Sequence, residues 1–343
     1  MPQLSRRTKF VIATGVGVVL LVGGLQAPVA MPEIVLAAEK VTSVAGFSIT
    51  NTLIATWLTM ITLLVLSFAA TRKLQLVPTG LQNFFEAILE AILGIIEGVA
   101  GKEKSRSFFP LVATIFLFVL FANWIGLLPG FSTIGIITEP EPGKHAVTYE
   151  TINVAGIRLA FTPIGKKVEA QAIETDHAVA SPGKEGNASG VTGVFVPILR
   201  SANSGLNTTM ALALIAMVFV EYFGVKSLGV RTYGSKFINI GKLMKGQIVS
   251  GLLDLFVGIL ETISELARLI SFTFRLFGNV FAGEVLLAVI TFLVPWIAAL
   301  PFLGLELFVG FIQAFVFAML TLVFLSMATM HPHGEAAHSH HGA

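Results

Sequence analysis

The chain contains no cysteine among its 343 residues, which excludes disulfides, thiolate metal sites and a cysteine nucleophile. Charge is also scarce: 12% of the residues are charged, against roughly 25% in an ordinary soluble domain. The 22 lysines and arginines nearly balance the 20 aspartates and glutamates, leaving a net charge of +2, too little for a broad nucleic-acid footprint. Neither the G-x-x-x-x-G-K-[ST] phosphate loop nor the H-E-x-x-H zinc motif occurs. ATP binding and zinc-dependent peptide hydrolysis by this chain alone are therefore not expected, and no cofactor or metal is called for.

Apolar residues fill the space. They make up 55% of the chain, the mean hydropathy is +0.84, and several apolar runs of about 20 residues are long enough to cross a ~30 Å hydrocarbon core. The fold class expected is all-α, a polytopic integral membrane protein; the short alternating strands of a membrane-spanning barrel are not evident.

Residues 1–38 combine Arg6, Arg7 and Lys9 with the apolar run Phe10 to Leu25 and small residues beyond it, which suits a signal peptide and an uncleaved signal anchor equally. Residues 39–71 hold an extracytoplasmic segment and a first span, Ser48 to Ala70, ending on Arg72 and Lys73. Basic residues place that end in the cytoplasm. In 72–107 the stretch Thr79 to Gly101 sets Phe84, Phe85, Ile88, Ile92 and Ile96 opposite Glu86, Glu90 and Glu97 at helical spacing, an amphipathic helix for the membrane surface. A span at 108–130 follows, then an extracytoplasmic insert at 131–203 whose alternating stretches Thr148 to Val154 and Thr192 to Val196 suggest β structure. A third span at 204–225 leads into a cytoplasmic loop, 226–247, with Lys226, Arg231, Lys236, Lys242 and Lys245 and no acid. Residues 248–330 form a helical pair. Its first limb, Ile248 to Val294, lacks proline and would reach about 70 Å as one helix, so it must tilt steeply or bend. The tail, 331–343, holds five of the seven histidines and is read as a solvated cytoplasmic end, which makes the protein multi-pass in a bacterial-type plasma membrane.

Within the long limb lie Asp254, Glu261, Glu265, Arg268, Arg275, Asn279 and Glu284. Ionisable groups in apolar helices cost several kcal/mol to bury, so each is a functional candidate. With Arg275 at zero and 100° per residue, Arg268, Asn279, Glu261, Asp254 and Glu265 fall within about 80° of it, while Glu284 falls near 180°. Glu306 is the one acid in the apolar part of the last segment, and Gln313 shares its face seven residues later. Glu284, Glu306 and Gln313 are expected to converge on a polar pocket suited to proton relay. Arginine does the opposite task, since it stays charged and passes no proton on.

The stretch Ser271-Phe-Thr-Phe-Arg275-Leu-Phe-Gly-Asn279-Val-Phe-Ala-Gly-Glu284 resembles the signature of subunit a of F-type ATP synthases. Supporting stretches are Ala122-Asn123-Trp-Ile-Gly126, Leu206-Asn207-Thr-Thr209 and Gln313-Ala-Phe-Val-Phe317. The resemblance implies a stator subunit beside a rotating ring of c subunits, with peripheral stalk b subunits and lipid as further partners and H+ as the transported ion. It implies that Arg275 is the essential arginine meeting each ring carboxylate and separating two half-channels. Glu284, Glu306, Asn279, Gln313 and Ser271 would belong to the proton path. Asp254, Glu261 and Glu265 are inner half-channel candidates from the polar stripe alone. The run Ser201-Ala-Asn-Ser-Gly205 lacks the acid that relatives often carry before this span.

The main alternative is a proton-coupled secondary transporter, which would use the same buried charges for solute binding. A rhomboid-like serine within Ala202-Asn-Ser204-Gly lacks a histidine in any later span to act as base.

Overall fold

The computed structural model describes residues 36–44, 46–128, 131, 134–138, 147–154, 157–161, 190–237, 247–293 and 299–330. The leader through residue 35 and the histidine-rich tail lie outside the described residues. The elements are β1 (Lys40–Val44), β2 (Phe47–Thr50), α1 (Asn51–Thr71), α2 (Leu81–Gly126), β3 (Ile134–Thr138), β4 (Val147–Val154), β5 (Ile157–Phe161), β6 (Gly190–Pro197), a 3-10 turn (Ala202–Ser204), α3 (Leu206–Leu228), α4 (Val230–Gly234), α5 (Ile248–Leu293) and α6 (Ala299–Ala328). Apart from the short α4, all five helices are long and apolar enough to cross a membrane. Their outward faces are apolar too. Leu64, Phe68, Leu252, Leu266 and Phe274 are all exposed, as lipid-facing side chains are where no aqueous surface has to be presented.

The chain divides into two compact units, one made of residues 1–60, 121–205 and 278–311, the other of 61–120, 206–277 and 312–343. In the first, β1 and β2 form a hairpin with Lys40 opposite Thr50 and Val44 opposite Phe47. Gly46 adopts φ 84° in its turn, which L side chains rarely tolerate. Asn51 then starts α1: its amide nitrogen donates to the carbonyl of Pro197 at 3.3 Å, and its side-chain oxygen accepts from the Thr52 amide at 2.9 Å. The insert's strands close on themselves as a four-stranded antiparallel barrel in the order β3, β5, β4, β6. Gly135 of β3 faces Phe195 of β6, whose ring lies 2.6 Å from where a Cβ would stand, so any larger residue would displace that ring.

The second unit is a helical core. Phe108, Val112 and Val119 of α2, Val220 of α3, Phe272 and Leu276 of α5, and Phe317, Leu322 and Leu325 of α6 are buried in it. Phe272 stacks on Phe317 at 4.8 Å and on Phe324 at 5.4 Å. Within α2 the helical path breaks at Gly101, φ 78° and ψ 160°. The sequence separates a surface helix from the following span at this point. The structure brings them within one residue of each other, with Lys102 to Ser107 already helical, because glycine alone accepts that turn without strain. Lys104 donates to the carbonyl and the hydroxyl of Thr329 at 3.0 and 3.1 Å, tying α2 to the residue that follows α6.

Candidate functional site

In the second unit, the polar stripe of α5 resolves into one ion-pair group and one isolated cation. Arg268 donates to Glu265 at 2.7 Å, approaches Glu261 at 3.7 Å and donates to Ser264 at 3.3 Å. Spacings of three, four and seven residues put all four on one helix face, where they can pair locally. The Arg268 guanidinium also lies over the Phe324 ring at 5.0 Å. Two turns onward, Arg275 is half-buried and holds neither a carboxylate nor a hydrogen-bond acceptor among the described residues. Its neighbours Phe272, Thr273, Leu276 and Phe277 are buried. Ser271 is exposed, Asp254 is half-buried, and Gln313 of α6 is buried. With Phe272 against Phe317 and Arg268 over Phe324, α5 and α6 run antiparallel in this unit.

The first unit holds a second group. Glu284 of α5 accepts a hydrogen bond from Arg200 Nε at 3.0 Å, and the same oxygen forms an ion pair with Nη2 at 2.9 Å. Its other oxygen is buried with no hydrogen-bond partner among the described residues. Arg200, 7% exposed, stands in the linker between β6 and the 3-10 turn. It donates onward to the carbonyl of Ala37 at 3.3 Å and sits 5.9 Å from the Phe281 ring. Glu306 of α6 lies against Gly283, and its carboxylate is close enough to Glu284 for the two charges to repel. Glu306 has no hydrogen bond or ion pair among the described residues. Asn279 is exposed. Below Glu306 on α6, Trp124 donates to the Leu307 carbonyl at 3.1 Å and Asn123 to that of Gly310 at 3.2 Å. Asn203 in turn donates to Asn123 at 2.8 Å.

Of the three residues expected to share one pocket, Glu284 and Glu306 lie near each other in this unit, while Gln313 belongs to the other unit. Two residues went unread, one in each unit. Arg200 lies 84 residues from its partner, and nothing in its local pattern distinguishes it from other charges at the edge of the insert. Glu221 falls inside the apolar run of α3, where the cost of burying charge marks it as it marked the others. Tyr233 of α4 packs against Gly224 and hydrogen-bonds Glu221. Among the described residues, no group of three or more His, Asp or Glu side chains is arranged to hold a metal ion.

The family model described as ATP synthase A chain matches residues 53–326, which takes in every candidate residue named above. The chain belongs to the ATP synthase A chain family. Curated relatives carry the name ATP synthase subunit a. That of Gloeobacter violaceus is 32% identical over 290 residues, 84% of this chain and 85% of its own. That of Syntrophobacter fumaroxidans is 30% identical over 300 residues, 87% of this chain and 92% of its own, and that of Campylobacter jejuni subsp. doylei is 31% identical over 267 residues, 78% and 84%. Membership in the ATP synthase A chain family makes the protein a multi-pass membrane subunit of an ATP synthase complex. It gives no support to the secondary-transporter alternative. The matched span runs across the barrel insert.

Proposed function

We propose that this chain is the proton-conducting stator subunit that faces the c ring of an F-type ATP synthase, does no nucleotide chemistry itself, and is held in a plasma membrane by its ring, stalk and lipid partners. The observation that carries the reading is Arg275. Arg200 and Arg268 each hold carboxylates, whereas Arg275 is half-buried in an apolar helix with no counterion among the described residues. An unpaired charge in hydrocarbon is costly, and a carboxylate supplied from outside the chain removes that cost.

During synthesis a proton enters by the outer route, lined by Glu306, Glu284, Asn279 and Gln313, with Ser271 beside the arginine. It neutralises a ring carboxylate, which then turns into lipid because it is uncharged. After most of a rotation that carboxyl reaches the inner route, releases its proton past the Asp254, Glu261 and Glu265 side of α5, and pairs as an anion with Arg275. The arginine cannot carry the proton itself, so it separates the two routes. Each proton crossing ~100 mV supplies about 2.3 kcal/mol, so several are needed per ATP.

The test is ATP-driven pumping and passive proton flux in vesicles holding the whole complex, with Arg275→Ala against the parent chain. The expected result is loss of pumping with intact assembly. Normal coupled pumping would overturn the reading.

A further inference from the structure

The two carboxylates of the outer group have unlike surroundings. Glu284 is gripped through one oxygen by a buried arginine from a different part of the chain, and that arginine is itself fixed by the Ala37 carbonyl and the Phe281 ring. Glu306, on the facing helix, has no such grip. The charged groups that face Glu284 are Arg200 from the linker and Glu306 from α6; Glu306 faces Glu284. Glu39 of the N-terminal segment accepts a hydrogen bond from Asn51. A carboxylate that takes up and releases protons on every ring step must not be locked to a permanent cation, and one that is so locked serves as a fixed charge.

We infer that Arg200 is a positioning residue of the outer proton route, holding Glu284 as a fixed anion and leaving Glu306 as the carboxylate that exchanges the proton. The inference rests on the proposed proton path and assigns unequal tasks to its two outer acids. The clamp joins three separate stretches: the segment at Ala37, the end of the barrel insert at Arg200, and α5 at Glu284. The insert thus has a part in the route, because it delivers the arginine.

The experiment measures ATP synthesis by the whole complex in proteoliposomes, driven by an acid bath, as the pH on the outer-route side is varied. Arg200→Gln leaves two carboxylates sharing one pocket with no cation, so one of them retains its proton to higher pH. Its activity profile should move toward alkaline pH by about one unit or more. Arg200→Lys keeps the cation and should hold the parent profile. Arg200→Gln combined with Glu284→Gln removes both charges and should bring the profile back. An Arg200→Gln complex that assembles and keeps the parent profile would overturn the inference. If Arg200→Gln does not assemble, the double variant decides: assembly with the parent profile supports the clamp, and failure to assemble overturns it. Arg275→Ala in the same assay separates the two levels. Coupled synthesis by Arg275→Ala sinks the proton-path reading itself, whereas its loss alongside an unshifted Arg200→Gln profile sinks the clamp alone.

Discussion

Arg268 grips Glu265 at 2.7 Å, while Arg275, seven residues further along the same helix, grips no carboxylate among the described residues. Two arginines on one stripe therefore answer to different demands. Removing Arg268 strands two half-buried acids, so Arg268→Ala should lower the amount of assembled complex, and adding Glu265→Gln should recover part of it. Leaving one partner of a pair behind costs more than removing both. Arg275→Ala should leave the amount of complex near the parent level and abolish pumping. Native gels for assembly, run beside a pumping assay, distinguish the two patterns.

Glu306 lies where a side chain on Gly283 would stand. Gly283→Ala should therefore push the carboxylate aside while sparing the fold, since the displaced atoms are the far end of a flexible side chain. Assembly should persist and pumping should fall several-fold. Glu306→Gln keeps the shape but removes the exchangeable proton, and should lose pumping altogether. Glu306→His restores a group that titrates near neutral pH, and should retain measurable pumping with a changed pH dependence. Equal activity in the glutamine and histidine variants would count against proton exchange at this position.

The long helices were legible because hydropathy is a local property: twenty apolar residues in a row announce a span wherever they sit in the chain. The Arg268 group was legible for the same reason, its partners lying three to seven residues away on one face. The Arg200–Glu284 pair was not, because its two halves meet only after the barrel insert has folded and returned the chain to the helices. The insert showed its strands through alternation, but closing β3, β5, β4 and β6 into a barrel depends on pairings across many residues, such as Gly135 with Pro197, that no local pattern encodes. The end of the surface helix at Gly101 was legible as well, and the φ of 78° shows that a single residue makes the joint.

Tyr233 joins a buried hydroxyl to Glu221. Burial first, then the hydrogen bond and the charge of Glu221, hold its phenol above the ordinary 10.0. A group whose folded-state value is raised contributes stability that is present below its unfolded value and lost as pH rises through the folded one. The complex should accordingly lose thermal stability above about pH 10, where unfolded tyrosine sheds its proton. Tyr233→Phe should be somewhat less stable at neutral pH, by about 1 kcal/mol for the lost hydrogen bond, and should show a flatter alkaline decline. Thermal inactivation of the purified complex at pH 8 and pH 10.5 measures both. A parallel decline in parent and variant would rule out Tyr233 as its source. Gly224→Ala should be worse than either, because its Cβ would meet the Tyr233 ring.

Asn123 bridges two elements through one amide. Its nitrogen donates to the Gly310 carbonyl at 3.2 Å, and its oxygen accepts from Asn203 at 2.8 Å. Asn203 is fully buried and Asn123 nearly so, so neither partner can turn to water if the bridge is removed. Asn123→Ala would leave a carbonyl and an amide unsatisfied, each a desolvation cost of about 1–3 kcal/mol. The neighbouring Trp124 also donates to α6, at 3.1 Å to Leu307, but it is 37% exposed and its loss leaves an accessible carbonyl. Asn123→Ala should therefore lower the thermal inactivation midpoint of the complex more than Trp124→Phe does, although the tryptophan change removes more volume. Gly310→Ala should act in the same direction as Asn123→Ala, since its Cβ would come within 3.1 Å of the Asn123 Cβ and push the two helices apart at the bridge. If Trp124→Phe proves the more damaging change, the packing of the indole, and not the buried amide, is what holds α2 to α6 here.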